Sequence, residues 1–395
     1  MTSSDHSIEI AMIFHWGVNA GFGHGRRCSI LSGALRRLGC RVAAVSSFTP
    51  PLPKSLASSF DELIQTCDFT ADSIASCLEN RPFSAVILDG YNFDEDIQKT
   101  VLEMGFQLIR IDDPPLKTNL APLLLLPATN RLFSPPQFPE GSIDSPEIID
   151  FPQCCLAETD TAIIGKMENE NSENNNREER NSVARNSEIK IRGKKNRGKK
   201  ILVSLGSASP VKILADLARG FLKASVEGYD LIIVPGPLSD YNSDPKTLCG
   251  TTVSENLSDL PEFDESAGRV FIIPQTQNLA ALMRSCDLMI SSAGVTLQEA
   301  LLMAIPVLSG ITADNQKGIH DYLMSKNAVT PCHCSGNLDE MYLEAWAELF
   351  SHLPGCEVQN KLHDASKRGA ALLENSGPQG TATKIIAHIS ENCKM

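Results

Sequence analysis

Short apolar runs alternate with amphipathic segments along most of the chain. Ile8–Phe14 is apolar except at Glu9, and a run of this length predicts a buried strand. From His24 to Leu38, apolar residues from Cys28 onward recur at three- and four-residue spacing, which predicts an amphipathic helix. Gly39 follows in the position where glycine commonly ends a helix. A second strand is predicted directly after it.

The same alternation continues through the first 150 residues. Strands are predicted at Ala85–Leu88 and Gln107–Ile111, and helices at Ser55–Gln65, Asp72–Asn80 and Glu95–Met104. Strands that alternate with helices at this spacing predict a parallel sheet with covered faces. The first part of the chain is therefore predicted to be an α/β domain.

The clearest break in composition is the segment Lys166–Lys200. It is rich in Asn, Glu, Arg and Lys and has almost no apolar residues, which is typical of a disordered insertion. This break divides the chain into an N-terminal domain of residues 1–150, a linker with the insertion at 151–200, and a C-terminal domain of residues 201–395.

The second half repeats the pattern of the first. Its predicted strands and helices are Ile201–Leu205, Asp230–Val234, Arg269–Ile273, Leu288–Ser291 and Ile305–Leu308 for the strands, and Val211–Ala224, Asn278–Ser285, Ser292–Met303 and Asn315–Ser325 for the helices. The tail from Met341 to Ile389 is mostly helical in pattern. The chain is therefore predicted to hold two parallel α/β units with one cleft between them.

Composition narrows the classes of partner. The 395 residues carry a net charge of -13, which argues against general binding to nucleic acid or to an anionic membrane surface. If the ligand is an anion, the basic groups that bind it must be concentrated at one site, as Arg26 and Arg27 are. No run of 18 apolar residues and no charged leader is present, so we expect a cytoplasmic protein without stable membrane insertion.

The turn Gly21–Arg27 lies between the first strand and the first helix. In α/β proteins, ligands bind at the carboxyl edge of the parallel sheet, where such turns lie. Helix N-termini at that edge offer unpaired N–H groups to anions. His24 opens the helix, and an imidazole with a pKa near neutral can take a proton from water. His24 is therefore a candidate general base, with helix capping or phosphate binding as the alternative.

Further polar turns follow other predicted strands. They are Asp89-Gly90-Tyr91, Ser204-Leu205-Gly206-Ser207, Ser292-Ala293-Gly294 with the helix carrying Glu299, and Asp314-Asn315-Gln316. Together with the Gly-Phe-Gly-His-x-x-Arg turn, this set resembles the nucleotide-sugar enzymes of the GT-B fold. It is most similar to the pseudaminic acid biosynthesis hydrolases, which release UDP from UDP-2,4-diacetamido-2,4,6-trideoxy-beta-L-altropyranose. It is more distantly similar to the peptidoglycan N-acetylglucosaminyltransferase.

The resemblance implies two Rossmann-like parallel-sheet domains facing across a cleft, a UDP-sugar substrate, and neither a metal nor another cofactor. It implies that His24 activates water at the anomeric carbon. The implied catalytic residues are His24, Tyr91 and Asn315. The implied substrate-binding residues are Gly23, Arg27, Asp89, Gly206, Ser207, Ile273, Gly294, Val295, Thr296, Glu299 and Gln316.

Within that set, the amides of Gly294, Val295 and Thr296 would hold the diphosphate, because they open a helix. By resemblance Glu299 would bind the ribose hydroxyls, and Ile273 would offer backbone groups to uracil. Arg27 would stabilise the substrate or the leaving group, whereas Arg26 is predicted to face solvent.

Several alternatives stay open at this point. Tyr91 could be a structural loop residue and Glu299 a surface glutamate. Asp89, Asp112 and Asp113 could suggest a metal site, but turn-forming aspartates are commoner, and we reject the metal.

The stretch His15–Asn19 stands where the resembled family carries an Arg-x-Asp pair. That makes His15 a second candidate base, with a core or loop histidine as its alternative. For the whole protein, the alternatives to a hydrolase are a UDP-sugar glycosyltransferase of the GT-B class and a non-catalytic sugar-nucleotide-binding protein.

Overall fold

The structure, a computed structural model, contains two parallel β-sheets flanked by helices. It describes residues 7–17, 23–90, 93–113, 116–133, 135–157, 199–206, 209–236, 252–253, 269–273, 279–374 and 376–392. The predicted insertion at 166–200 lies outside the described residues except for Lys199 and Lys200, which begin a strand.

The first sheet has seven strands in the order β3-β2-β1-β4-β5-β6-β7, and its strand pairs are parallel. Its strands are β1 Glu9–Phe14, β2 Arg41–Ser46, β3 Glu62–Gln65, β4 Ala85–Asp89, β5 Gln107–Ile111, β6 Leu123–Leu126 and β7 Glu147–Asp150. The helices between them are α1 Gly23–Arg37, α2 Lys54–Ala57, α3 Ala71–Leu78 and α4 Glu95–Glu103. Apolar residues on both faces of the sheet form two buried clusters.

The second sheet also has seven parallel strands, in the order β10-β11-β9-β8-β12-β13-β14. Its strands are β8 Lys199–Ser204, β9 Tyr229–Ile233, β10 Thr252–Val253, β11 Arg269–Ile272, β12 Leu288–Ser292, β13 Val307–Gly310 and β14 Thr330–Pro331. The helices are α5 Val211–Ala224, α6 Leu279–Arg284, α7 Val295–Leu302, α8 Lys317–Ser325, α9 Leu343–His352, α10 Cys356–Leu373 and α11 Pro378–Asn392. Short 3-10 helices lie at Asp314–Gln316 and Leu338–Glu340.

The alternation of strands and helices is confirmed in both halves, with a few local differences. The helix predicted over Ser55–Gln65 is wrong beyond Ala57, because Glu62–Gln65 pairs with β2 as an edge strand. Strands β6 and β7 were not predicted. The four leucines of β6 are all buried, and a run this short has no periodicity that distinguishes a strand from other buried chain.

The chain crosses between the two sheets after β7. Phe151 and Cys155 belong to a buried cluster of the second sheet, whereas Cys154 belongs to one of the first sheet. The last helix, α11, returns to the first sheet, where Ala382, Ile385 and Ile389 pack with α1 residues. The predicted division at residues 150 and 200 stays a prediction, but residues 378–392 pack on the N-terminal core rather than within the second unit. No helix of the described chain is long and apolar enough to span a bilayer.

Candidate active site

The carboxyl ends of three neighbouring strands bring the polar residues of the first sheet together. Phe14 pairs with Asp89 in register, and Asp89 pairs with Ile111. Helix α1 begins at Gly23, after β1, so its first turn lies over this edge. Asp89 and Asp113 therefore come to the N-terminal turn of α1 from adjacent strand ends.

His24 is held by Asp89. Its Nδ1 lies 2.8 Å from Asp89 Oδ1, and both side chains are buried. Burial opposes the negative charge of Asp89, but the Arg27 and His24 charges and their hydrogen bonds outweigh it and hold the pKa of this carboxyl well below its usual range. An ionised carboxylate only accepts hydrogen bonds, so we assign the Nδ1 proton to His24. In the neutral ring, Nε2 is then the nitrogen that accepts a proton.

Arg27 fixes the same carboxylate from the next turn of α1. Its Nε donates to Asp89 Oδ2 at 2.6 Å, and its Nη1 donates to Asp113 Oδ2 at 2.6 Å. Its Nη2 donates to Asp89 Oδ1, so every guanidinium nitrogen bonds a carboxylate. Burial works against the charge of Arg27, but Asp113 and Asp89 outweigh burial and raise its pKa. Arg27 and Asp89 thus form a buried support for His24.

The second sheet presents the start of α7 at its own carboxyl edge. Gly294 is the N-cap residue of α7, and its N–H donates to Ser292 O at 2.8 Å. The first amide to bond along the helix is Gln298 N, which donates to Gly294 O. The N–H groups of Val295, Thr296 and Leu297 precede it in the first turn, where helices lack intrahelical partners. The amides that can bind an anion are therefore those of residues 295–297.

Gln316 joins two loops at this edge. Its Oε1 accepts from Thr312 N at 2.8 Å, and its Nε2 lies 3.4 Å from Ser292 Oγ. Ser292 Oγ in turn donates to Leu205 O, next to Gly206 at the end of β8. Gly206 has φ +91°, a backbone conformation that favours glycine. Gly206 and Gln316 are thus close to the start of α7.

Among the described residues, side-chain hydrogen bonds connect the first unit with α7. Arg26 Nη2 lies 2.6 Å from Glu299 Oε1, and Gln298 Nε2 donates to Pro127 O at 3.1 Å. Glu299 is 2% exposed, so the alternative of a surface glutamate is wrong. The prediction that Arg26 faces solvent holds only in part, because its side chain is 36% exposed but its guanidinium bonds a buried carboxylate on the other unit.

Sequence comparison finds a distant relative of the chain. No family model matches the chain. An uncharacterized protein of Methanocaldococcus jannaschii is 21% identical over 336 residues, which are 82% of this chain. The chain spans 60% of the length of that relative.

Solved structures match over nearly the full length. The glycotransferase of kitacinnamycin has a TM-score of 0.58 at 14% identity, with 97% of this chain and 99% of that chain covered. MurG of Acinetobacter baumannii has a TM-score of 0.57 at 13% identity, again with 97% of this chain and 99% of that chain covered. CalG4, the calicheamicin glycosyltransferase, has 0.57 at 10% identity, with 98% and 99% covered. The chain has the GT-B fold.

Within the GT-B fold, the remaining predicted site residues lie in three places. Ile273 is buried after β11, and its N–H donates to Ile233 O, so only its carbonyl could serve a base. Asn315 is half-buried in the 3-10 helix before α8, and Gly23 is the exposed first residue of α1. Tyr91 and Ser207 lie outside the described residues, and their roles stay predictions.

The three aspartates considered for a metal are paired with arginines instead. Asp89 and Asp113 bond Arg27, and Asp112 Oδ2 lies 2.8 Å from Arg110 Nη2. Among the described residues, no group of three or more His, Cys, Asp or Glu side chains is placed to hold a metal ion.

His15 lies in an aromatic environment close to His24 and Asp89. Its ring is 4.6 Å from the Phe93 ring, nearly parallel to it, and 4.4 Å from the Phe69 ring. A Cβ on Gly90 would lie 1.9 Å from His15 Nδ1, so glycine is required for this approach. Burial and the neighbouring His24 lower the pKa of His15 to about 4, against which Asp89 acts weakly. His15 is therefore a neutral packing residue at neutral pH.

This packing predicts a pH-dependent stability. In the unfolded chain His15 binds a proton below its ordinary value of 6.5, whereas in the folded chain it stays neutral down to about 4. Lowering the pH through this window favours the unfolded state by about 3 kcal/mol from this residue. Urea unfolding at pH 7 and pH 4 should show that the free energy of unfolding falls less between these two pH values in His15→Phe than in the wild type. The exposed His352→Phe is the control, and an unchanged pH difference in His15→Phe would contradict the assignment.

Proposed function

We propose that the protein is a nucleotide-sugar enzyme that cleaves the bond between the anomeric carbon of a sugar and UDP. The observation that carries the proposal is the buried His24–Asp89 pair at the start of α1, with the start of α7 brought to it from the second unit by the Arg26–Glu299 contact. A base on one unit and an anion-binding helix start on the other are the two groups this cleavage requires.

The chemistry assigns one role to each unit. His24 Nε2 takes the proton of the attacking hydroxyl or water as its oxygen forms a bond to the anomeric carbon. Asp89, held ionised by Arg27, stabilises the imidazolium that results. The bond to the phosphate oxygen breaks, and UDP leaves with the electron pair. The N–H groups of residues 295–297 and the dipole of α7 then stabilise the negative charge of the leaving group.

Two nucleophiles are compatible with this site. An acceptor hydroxyl makes the enzyme a glycosyltransferase, and the named glycosyltransferases with this fold favour that function. Water makes it a hydrolase of a UDP-2,4-diacetamido-2,4,6-trideoxyhexose, and the Gly-Phe-Gly-His-x-x-Arg turn favours that function. The base and the leaving-group site are the same in both.

Release of UDP distinguishes these functions. The protein is incubated with a panel of UDP-sugars, including 2,4-diacetamido-2,4,6-trideoxy donors, with and without sugar and lipid-linked acceptors. Release that is rapid without an acceptor supports the hydrolase, and release that depends on an acceptor supports the transferase. Binding of UDP without release from any donor would contradict an enzyme and leave a binding protein.

A further inference from the structure

The two consecutive arginines of α1 have different environments. Arg27 is 7% exposed, and all of its nitrogens bond the carboxylates of Asp89 and Asp113. Binding a phosphate with Arg27 would remove a partner from a buried carboxylate, which is costly. Arg27 is therefore fixed in its supporting role.

Arg26 lies between α1 of the first unit and α7 of the second, in the region that we call the opening. Its side chain is 36% exposed, and its guanidinium reaches from α1 to Glu299 on α7. Glu299 lies four residues after Val295, the first residue of α7. At the rise of an α-helix, that separation is about 6 Å along the axis. An anion at the start of α7 is then within a side-chain rotation of the Arg26 guanidinium.

A chain with a net charge of -13 needs local positive charge to bind an anionic ligand. An arginine suits this role because its guanidinium can donate two parallel N–H groups to phosphate oxygens. Near Arg26, the described charged side chains of α1 and α7 are Arg27, which its carboxylates neutralise, and Glu299, which neutralises Arg26 itself. Among these described side chains of α1 and α7, Arg26 is the one that could offer its charge to a diphosphate.

We propose that Arg26 is the residue that binds the diphosphate of the nucleotide from the N-terminal unit. This inference rests on the proposed function. In the absence of nucleotide, Glu299 holds the guanidinium across the opening. When UDP binds, the ribose hydroxyls take over the Glu299 carboxylate, and Arg26 moves to the phosphate oxygens.

The test compares ligands that share uridine but differ in phosphate. Isothermal titration calorimetry measures UDP and uridine binding to the wild type and to Arg26→Gln. We expect Arg26→Gln to weaken UDP binding about 10- to 100-fold, as for the loss of hydrogen bonds to a charged group, without weakening uridine binding. Arg37→Gln is the matched control, because Arg37 lies on the exposed last turn of the same helix, and it should bind both ligands as the wild type does.

A second variant separates phosphate binding from a structural role. Glu299→Gln should weaken uridine and UDP by similar factors, because it removes a ribose contact. If Arg26 only held the two units together, Arg26→Gln would weaken both ligands alike, and the inference would be overturned. It would also be overturned if Arg26→Gln bound UDP like the wild type. A wild type that binds no UDP would instead contradict the proposed function.

Discussion

His24→Asn should lower turnover of a UDP-sugar about 100- to 10,000-fold, the range that a positioned general base contributes. Asparagine can place its amide nitrogen near the position of the imidazole Nδ1 and donate to Asp89 Oδ1, as His24 does at 2.8 Å. It has no atom that accepts a proton at the position of Nε2. Steady-state kinetics should therefore show a loss in kcat, while the affinity for UDP measured by calorimetry changes less than about 3-fold, since in the proposed function UDP is bound by the start of α7, Glu299 and Arg26 rather than by His24.

The control and the contradicting result are equally specific. His352→Asn, on the exposed end of α9, should have wild-type kinetics. If His24→Asn kept its kcat and lost affinity for UDP instead, His24 would be a phosphate ligand rather than the base. If His24→Asn had the kcat and the UDP affinity of the wild type, the base would be a residue other than His24.

Much of the fold could be predicted from the sequence because parallel α/β sheets have a strong pattern. The runs of β1 and β4 are apolar on both faces, and the helix between Cys28 and Leu38 has one apolar face. Strand ends of neighbouring parallel strands meet at one edge, so Asp89 and His24 could be placed together from their positions in the chain alone. The GT-B fold was predicted from the resemblance of the motifs and is confirmed by the match to solved structures.

The partners of the site residues could not be predicted. Arg26 and Arg27 are adjacent in sequence, and which of them turns inward depends on the register of α1 over the sheet. The contact of Arg26 with Glu299 joins residues 273 positions apart and depends on how the two units approach each other. The return of α11 to the first sheet is equally non-local, because its apolar face would fit either unit.

Asp89→Asn should have the largest effect on stability, lowering the free energy of unfolding by about 3–5 kcal/mol, as when one partner of a buried ion pair is removed. Asp89 is fully buried, and the substitution leaves Arg27 charged with Asp113 as its remaining carboxylate. The folded-state pKa of Asp89 is depressed, so its contribution is complete at pH 7 and is lost only as pH falls below the ordinary carboxylate range. Urea unfolding at pH 7 measures the change.

The same substitution also tests how Asp89 acts on His24. An asparagine can accept from Nδ1 only through its single amide oxygen, and it brings no charge to stabilise the imidazolium. The kcat of Asp89→Asn, calculated per folded molecule, should therefore fall as the kcat of His24→Asn does. Asp216→Asn, which removes the surface pairs of this half-buried carboxylate with Lys212 and Arg219 on α5, should cost less than about 1 kcal/mol and leave kcat unchanged. A stable Asp89→Asn protein with wild-type kcat would show that neither the buried network nor the imidazole depends on this charge. Loss of kcat with normal stability would limit Asp89 to orienting the base, with Asp113 sufficient to balance Arg27.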